Sequence, residues 1–217
     1  MIVSELLRMA LLREISACNG RALNASAIGR RLGLSCHSIL HRIAVLQDAG
    51  IIRVLPSLAG RHPHVLLRDC RFLKALGGSR AAILRACLTE RITMSYGAGA
   101  SCVRFFQWEA GRVKRIDLVA STSKETVGFQ FSDRPAVRNR DWAPLRLAVE
   151  KGVVNWGFLV HCGMGAFVTA RAVLVVPVQG FLDNLDRWLG CGNFREARQL
   201  LRVTSPQPQL PGQSEGG

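Results

Sequence analysis

The sequence predicts an α+β protein in two parts: a helical amino-terminal part, and a larger part in which helices and strands follow one another. Three observations support this prediction. Apolar residues recur at helical spacing in three segments before residue 48. Two short apolar runs, at 51–55 and 65–67, flank a turn that contains two prolines. From residue 80 onward, strand-like runs stand between helical segments. A length of 217 residues suffices for two small domains.

The composition favours a folded protein with a polyanionic partner. Hydrophobic residues make up 48% of the chain and charged residues 20%, which is typical of globular domains. The 29 lysines and arginines outnumber the 15 acidic residues, which gives a formal net charge of +14. Nearly all of the basic residues are arginine, whose planar guanidinium matches phosphates and guanine edges. Residues 1–80 hold 12 basic and 4 acidic side chains, so the positive charge is concentrated there.

Several classes of protein are disfavoured. No apolar run approaches the roughly 20 residues that span a bilayer, and the best run, 166–178, contains Arg171 and Pro177. The amino terminus lacks the basic start and apolar run of a signal peptide. The 7 cysteines are scattered without a CxxC pair, which is typical of reduced proteins and not of a disulfide framework or zinc ribbon. We therefore expect a cytoplasmic protein with no membrane contact, cofactor or metal.

The first 78 residues predict three helices followed by a two-stranded ribbon. Helices are expected at 4–18, 24–32 and 36–48, with Asn24 and Ser35 as N-caps and Gly33 as a C-cap. Strands at 51–55 and 65–67 enclose the turn at 56–63. This order is typical of a winged helix-turn-helix domain, whose third helix enters the major groove of DNA.

Residues 79–203 predict a second, mixed α/β domain. Besides a short helix at 71–76, helices are expected at 80–95, 142–151 (capped by Asp141), 180–189 and 193–202. Strands are expected at 103–108, 113–120, 126–131, 153–161 and 172–178. The last residues, 204–217, contain three prolines and three glycines without an apolar pattern, so we expect a disordered tail.

Short segments spread over residues 10–185 carry a family resemblance. They are Leu32-Gly33-Leu34-Ser35, Leu46-Gln47-Asp48-Ala49-Gly50-Ile51-Ile52, Val65-Leu66-Leu67-Arg68-Asp69, Leu73, Leu76-Gly77, Glu90, Phe105-Phe106, Ile116-Asp117-Leu118-Val119 and Val127-Gly128-Phe129-Gln130-Phe131-Ser132. On these segments the chain resembles the carboxy-terminal region of prokaryotic AAA-type ATPases. The resemblance implies a winged helix followed by a degenerate restriction-endonuclease-like domain. The chain has no GxxxxGK[ST] motif, so the ATPase module itself is missing.

The resemblance also implies a set of degenerate nuclease positions. Restriction-type nucleases hold a divalent metal with a helix Glu, a strand Asp and a Glu-x-Lys pair on the next strand. Here Glu90 and Asp117 match the first two places, whereas Gln130 and Ser132 stand where the Glu and Lys are needed. One carboxylate and the ammonium are lost, so we expect a nuclease-like scaffold that is not an enzyme.

The predicted DNA-binding surface combines the outer face of the helix at 36–48 with arginines beside it. Small and polar side chains at the start of that helix allow close approach to bases, and flanking arginines suit phosphates. The candidates near bases are Ser35, Cys36, His37, Ser38, His41 and Arg42. The candidates near phosphates or at the tip of the ribbon are Arg30, Arg31, Arg53, Arg61, His62, His64 and Arg68.

These observations together predict a cytoplasmic protein that binds double-stranded DNA. We expect a homodimeric transcriptional regulator or architectural protein, because one recognition helix reads few bases. The second domain would supply an interface or sense a ligand. Two alternatives remain open: a metal-dependent nuclease that uses Glu90, Asp117 and Gln130, and an adaptor that binds a separate ATPase through protein contacts.

Overall fold

The computed structural model describes residues 2–58, 62–99, 103–110, 114–169 and 172–204. Over these residues the chain is a mixed α+β structure, and the predicted fold class is confirmed to that extent. Arg61, the end of the hairpin turn at Gly111 and the tail after residue 204 lie outside the described residues.

Helices and a small sheet make up the amino-terminal part. Its elements are α1 (Ile2–Ala17), β1 (Arg21–Ala22), α2 (Ala25–Leu32), α3 (Cys36–Asp48), β2 (Ile52–Leu55), β3 (His64–Leu67) and α4 (Cys70–Ala75). The three strands form an antiparallel sheet in the order β1-β3-β2. Strand β1 was not predicted, because two exposed residues carry no periodic pattern.

The predicted caps fix the turn between α2 and α3. The Asn24 side chain accepts a hydrogen bond from the Ala27 backbone N–H at 2.9 Å, and the Ser35 hydroxyl accepts one from Ser38 N–H at 3.1 Å. Gly33 ends α2 with a φ of +66°, a left-handed conformation that favours glycine. A Cβ on Gly29 would lie 2.5 Å from the Leu34 carbonyl oxygen. The turn is therefore tight, and it sets the orientation of α3 against α2.

The remaining elements surround a six-stranded sheet. They are α5 (Arg80–Gly99), β4 (Arg104–Ala110), β5 (Lys114–Ser121), β6 (Thr126–Ser132), α6 (Asn139–Glu150), β7 (Trp156–His161), β8 (Phe167–Val168), β9 (Val173–Pro177), α7 (Val178–Asp183), α8 (Leu185–Gly190) and α9 (Phe194–Thr204). The strand order is β4-β5-β6-β7-β9-β8. Strands β6, β7 and β9 run parallel, and the other pairs are antiparallel.

Each face of the six-stranded sheet is covered by helices. On one face, Leu145 and Ala148 of α6 pack against Leu159 and Val175. On the other face, side chains of α5, α7, α8 and α9 pack around Phe129 and the rest of a larger cluster. Every residue of β7 is buried, as expected for a strand with both faces covered.

Several predicted elements differ from the structure. The helix expected at 142–151 begins at Asn139, and the Asp141 carboxylate accepts the Arg138 N–H at 2.7 Å from the third helical position. The helix expected at 180–189 is divided at Asn184, whose φ is −122°. Strand β8 was missed, because two residues are too short for a periodic signal. Such ends depend on tertiary contacts that local patterns do not record.

The amino-terminal part and the six-stranded sheet share side chains. Leu55 and Leu66 of the small sheet belong to the large core cluster, whereas Ala86 of α5 packs into the amino-terminal cluster. The backbone after β2 continues this contact, since Leu58 N–H donates to the Gln107 carbonyl and Gln107 N–H donates to the Pro56 carbonyl, both at 2.9 Å. The two parts therefore pack as neighbours with a continuous interior.

Among the described residues, none of the helices combines the length and apolar character that crossing a bilayer requires.

The imidazole of His64 is buried at the start of β3. Its side chain is 0% exposed, and its Nε2 lies 3.4 Å from the Glu109 carboxylate. Burial lowers the pKa of His64, and the opposing attraction of Glu109 does not restore it. The folded protein therefore holds this histidine neutral.

We expect the free energy of unfolding to fall as the pH drops below about 6.5, the ordinary pKa of a histidine in the unfolded chain. The lowered pKa means that the unfolded chain binds the proton first. The contribution of His64 to stability is fully present above that pH and is lost as the pH falls toward the lowered pKa of the folded state.

Urea unfolding at pH 7 and pH 5.5 measures this loss. In His64→Leu we expect a smaller fall in the free energy of unfolding between the two pH values. His62→Leu, at an exposed histidine, is the control; equal declines in His64→Leu and the parent would contradict the assignment.

Candidate nucleic-acid interface

Helix α3 has a buried face and an open face. Ile39, Ile43 and Leu46 are buried against α1, α2 and the small sheet. The open face carries a group of exposed side chains: Cys36, His37, Leu40, His41, Ala44 and Val45. It spans the whole helix and holds no carboxylate before Asp48. The sequence-predicted residues Cys36, His37 and His41 therefore lie together on an accessible surface.

Ser35, Ser38 and Arg42 lie at the edge of this open face. The Ser35 hydroxyl caps α3 and also donates to the Ser38 hydroxyl at 3.0 Å, so both hydroxyls have internal partners. Arg42 is partly exposed and forms no ion pair with any residue that the structure describes. Arg42 is thus the one cation of α3 available to an external anion.

Exposed arginines stand near α3 on neighbouring elements. Arg30 is exposed near the end of α2, and within the described ranges it has no ion-pair partner. Arg31 differs, because its guanidinium binds the Glu14 carboxylate of α1 with a closest distance of 2.6 Å. That pair is on the surface, where its charges are screened and its contribution is small. Arg30 therefore fits the predicted phosphate-facing role better than Arg31.

Arg53 and Arg68 have a different position from the one predicted. Both guanidiniums bind Glu90 of α5: Arg53 Nε and Nη2 reach Oε2 at 3.2 and 3.0 Å, and Arg68 Nε reaches Oε1 at 2.8 Å. The Glu90 side chain is only 16% exposed. Burial disfavours its charge, but the two guanidiniums more than offset this and hold the pKa of Glu90 below its usual range. These arginines fasten the base of the ribbon to α5 and are not free for phosphates.

The predicted residues of the ribbon tip divide into three cases. His64 is buried beside Glu109, so its predicted contact with DNA or solvent is wrong. His62 is exposed, as the prediction requires. Arg61 lies outside the described residues, and its role stays a prediction.

Asp117 lies in β5 with its carboxylate fully buried. One oxygen accepts from Arg85 Nε at 2.6 Å. The other accepts from Gln130 Nε2 at 3.0 Å and from Phe131 N–H at 2.9 Å. The structure thus brings together Asp117 and Gln130, two of the four degenerate nuclease positions. A guanidinium, not an open coordination position, faces the carboxylate.

Glu90 and Ser132 complete the four degenerate positions without forming a ligand set. Glu90 is directed at the ribbon arginines, and the Ser132 hydroxyl accepts from Arg134 N–H at 3.3 Å. Among the residues that the structure describes, no group of three or more His, Cys, Asp or Glu side chains could hold a metal ion. The charges of both carboxylates are matched by arginine side chains of the protein itself.

In comparisons with known proteins, no family model, no curated protein and no solved structure matches this chain. The resemblance to the ATPase family therefore remains an expectation from sequence segments.

Two features of the site could not be predicted from the sequence. Leu40 and Val45 of α3 are 47% and 53% exposed, although helical spacing alone suggests a wider apolar stripe facing the core. The partnership of Arg53 and Arg68 with Glu90 joins residues 37 and 22 positions apart in the chain. No local motif encodes such distant ion pairs.

Glu90→Gln should lower the free energy of unfolding at pH 7 by about 2 kcal/mol, because two partly buried guanidiniums lose their shared carboxylate. The pKa of Glu90 is lowered in the folded protein, and this fixes how its contribution to stability depends on pH. The contribution is present above the ordinary Glu pKa and is lost as the pH falls through the pKa of the folded state. The parent and the variant should therefore converge at acidic pH.

Urea denaturation from pH 7 down to pH 3 measures this difference. Asp69→Asn is the matched control, because it removes one exposed carboxylate, whose ion-pair partner among the described residues is Arg71, and keeps a capping side chain. A Glu90→Gln variant as stable as Asp69→Asn at pH 7 would refute the fastening role.

Proposed function

We propose that residues 1–78 form a winged helix-turn-helix unit that binds double-stranded DNA through the open face of α3. The single observation that supports this is the accessible α3 surface, which is free of carboxylates before Asp48 and lies in the most basic third of the chain. An α-helix with one open face fits the width of a major groove. The order α1, β1, α2, α3, β2, β3, with helices before a small antiparallel sheet, supports this proposal.

Base recognition would come from the start and middle of α3. In this proposal, His37, His41 and Arg42 contact base edges, because they can donate hydrogen bonds to guanine or adenine acceptors. Leu40 lies between the two histidines and suits the methyl group of thymine. Cys36 and Ser38 are small enough to let the backbone approach.

Phosphate contacts would come from arginines beside α3. Arg30 has the exposure and freedom from ion pairs that this role requires. Arg61 and His62 retain their predicted role at the ribbon tip. Arg53, Arg68 and His64 leave the contact set, because they are engaged or buried inside the protein.

The second part would be a nuclease-like scaffold without nuclease activity. Support comes from the pairing of Asp117 with Arg85 and of Glu90 with Arg53 and Arg68. A divalent cation would have to displace a guanidinium at each carboxylate. We further propose a homodimer in the cytoplasm, in which two α3 helices read two half-sites.

One observation favours a second function, in which α3 contacts a protein. Leu40 and Val45 are both exposed on its open face, and apolar surface of this kind also suits protein interfaces. Under this alternative the chain would be an adaptor for a separate ATPase. The variant Val45→Gln distinguishes the two functions. If α3 reads bases with its first half, the variant should keep its affinity for DNA within about twofold. If α3 binds a protein, the variant should lose partner binding.

Arg42→Ala should weaken binding to a selected DNA site by about 1–3 kcal/mol while leaving random duplexes little affected. Arg30→Ala should weaken both uniformly and reduce the slope of log K against log salt by about 0.9, the loss of one phosphate contact. Duplex fragments selected from a random pool, followed by fluorescence anisotropy at several salt concentrations, measure both effects.

The DNA-binding proposal is refuted if the parent protein slows the migration of no duplex in a gel-shift assay at low salt. Light scattering of the same samples reports whether the 217-residue chain is dimeric.

Incubation with supercoiled plasmid and Mg²⁺ or Mn²⁺ should leave the plasmid intact. The reason is that arginines of the protein already neutralise both candidate carboxylates. Agarose electrophoresis provides the measurement. Nicking that disappears in Asp117→Ala would instead establish the nuclease alternative.

A further inference from the structure

We propose that α9 carries a second polyanion-binding surface, an arginine stripe formed by Arg195, Arg198 and Arg202 that contacts the phosphate backbone of duplex DNA. This inference extends the proposed function beyond α3, but it rests on a different element and can hold if the α3 assignment fails.

The three arginines lie on one line along the helix. At 100° per residue they fall within an arc of about 60°, and they are spaced roughly 4.5 and 6 Å along the axis. All three are exposed, and none of their guanidiniums forms an ion pair or hydrogen bond with a residue that the structure describes. The stripe therefore presents three guanidiniums without a described partner over nearly two turns of helix.

The opposite face of α9 is fixed in the core. Ala197 is 0% and Leu201 is 5% exposed, and Phe194 packs against the same cluster. This burial holds the arginines outward on a rigid support. It also disfavours a lipid bilayer as the partner, because an interfacial helix must insert its own apolar face into the membrane.

Acidic side chains near the stripe are mostly engaged elsewhere. Glu196 accepts from Gly192 N–H at 2.8 Å and from Asn193 Nδ2 at 2.6 Å, which holds the start of α9. Glu125 accepts from the Trp156 indole, and Asp183 accepts from Gln179 at 2.7 Å. Asp186 in α8 is exposed. These donors are neutral, so the carboxylates keep their charge, but within the described ranges none of them forms an ion pair with Arg195, Arg198 or Arg202.

The loop before α9 borders a cavity that carries both signs of charge. The lining of this cavity of about 1140 Å³ includes three cations and three carboxylates: Arg91, Lys124, Arg187, Glu125, Asp183 and Asp186. The cavity therefore adds no net charge, and the inference rests on the stripe itself. Its three guanidiniums suit the repeating phosphates of nucleic acid, which offer one charge for about every 1.7 Å of duplex axis.

The test replaces the stripe with neutral side chains of similar length. The triple variant Arg195→Gln, Arg198→Gln, Arg202→Gln should bind a 24-base-pair random duplex at least about 10-fold more weakly at 100 mM salt. The slope of log K against log salt should become shallower by about 2.7, the loss of three phosphate contacts. Circular dichroism checks that the helix is retained.

A matched control keeps the same change in net charge. Arg104→Gln, Arg134→Gln, Arg140→Gln removes three exposed arginines from other parts of the surface. Equal weakening by the two triple variants would overturn the inference, since net charge alone would then explain the effect. No duplex binding by the parent protein would overturn it as well.

The α3 variant Arg42→Ala separates this inference from the proposed function. Loss of duplex binding in the α9 triple variant, with α3 variants unchanged at a selected site, would support the stripe and refute α3. Unchanged binding in the α9 triple variant, with α3 variants impaired, would refute the stripe alone. Binding to phosphatidylserine vesicles that depends on the stripe, with duplex binding unaffected, would also refute it.

Discussion

The buried carboxylate of Asp117 is the interaction around which the larger part of the protein is arranged. Its side chain is fully buried, and an ionised group in such a position requires compensation by charge and hydrogen bonds. Arg85 supplies the charge from α5, and Gln130 and the Phe131 N–H complete the hydrogen bonds. Helix α5 is thereby fixed to β5 and β6. Arg115 extends the contact, lying 3.9 Å from Asp117 and donating to the Gly20 carbonyl at 3.0 Å. The end of α1 is thus joined to the larger sheet.

Arginine has two separate roles in this protein. Some arginines serve contacts within the protein: Arg53 and Arg68 of the amino-terminal part hold Glu90 of α5, and Arg85 holds Asp117 inside the larger part. Others, such as Arg30 and the α9 stripe, are exposed without an ion-pair partner among the described residues. The formal net charge of +14 includes both groups of arginines and does not show which arginine has which role. Only the three-dimensional structure separates arginines that organise the fold from those available to a polyanion.

Local signals predicted most of the secondary structure. The caps Asn24 and Ser35 and the left-handed Gly33 located α2 and α3, because a cap depends on neighbours within a few residues. Apolar runs such as the one at 153–161 identified buried strands, although β7 itself begins at Trp156. Strands β1 and β8 were missed because two residues carry no period. The sheet order could not be read from the chain, since parallel pairing of β7 with β9 depends on which strands meet after folding.

The candidate site was predicted only where exposure follows helical periodicity. His37 and His41 lie on the open face of α3, as their spacing indicated. His64, Arg53 and Arg68 were misplaced because their environments are created by Glu109 and Glu90, which come from distant parts of the chain. The charge of a residue indicates which groups its side chain can bind. Only the folded structure shows whether a partner within the protein already lies close enough to bind it.

The continuous interior has a consequence for how this chain can be divided or recombined. Leu55 and Leu66 complete the core beneath α5, and the backbone around Pro56 and Gln107 joins the ribbon to β4. A fragment cut near residue 78 would expose two leucines and break these backbone hydrogen bonds. The amino-terminal unit is therefore a poor module for transplantation into a chimeric protein, and insertions are better tolerated at surface loops than at this junction.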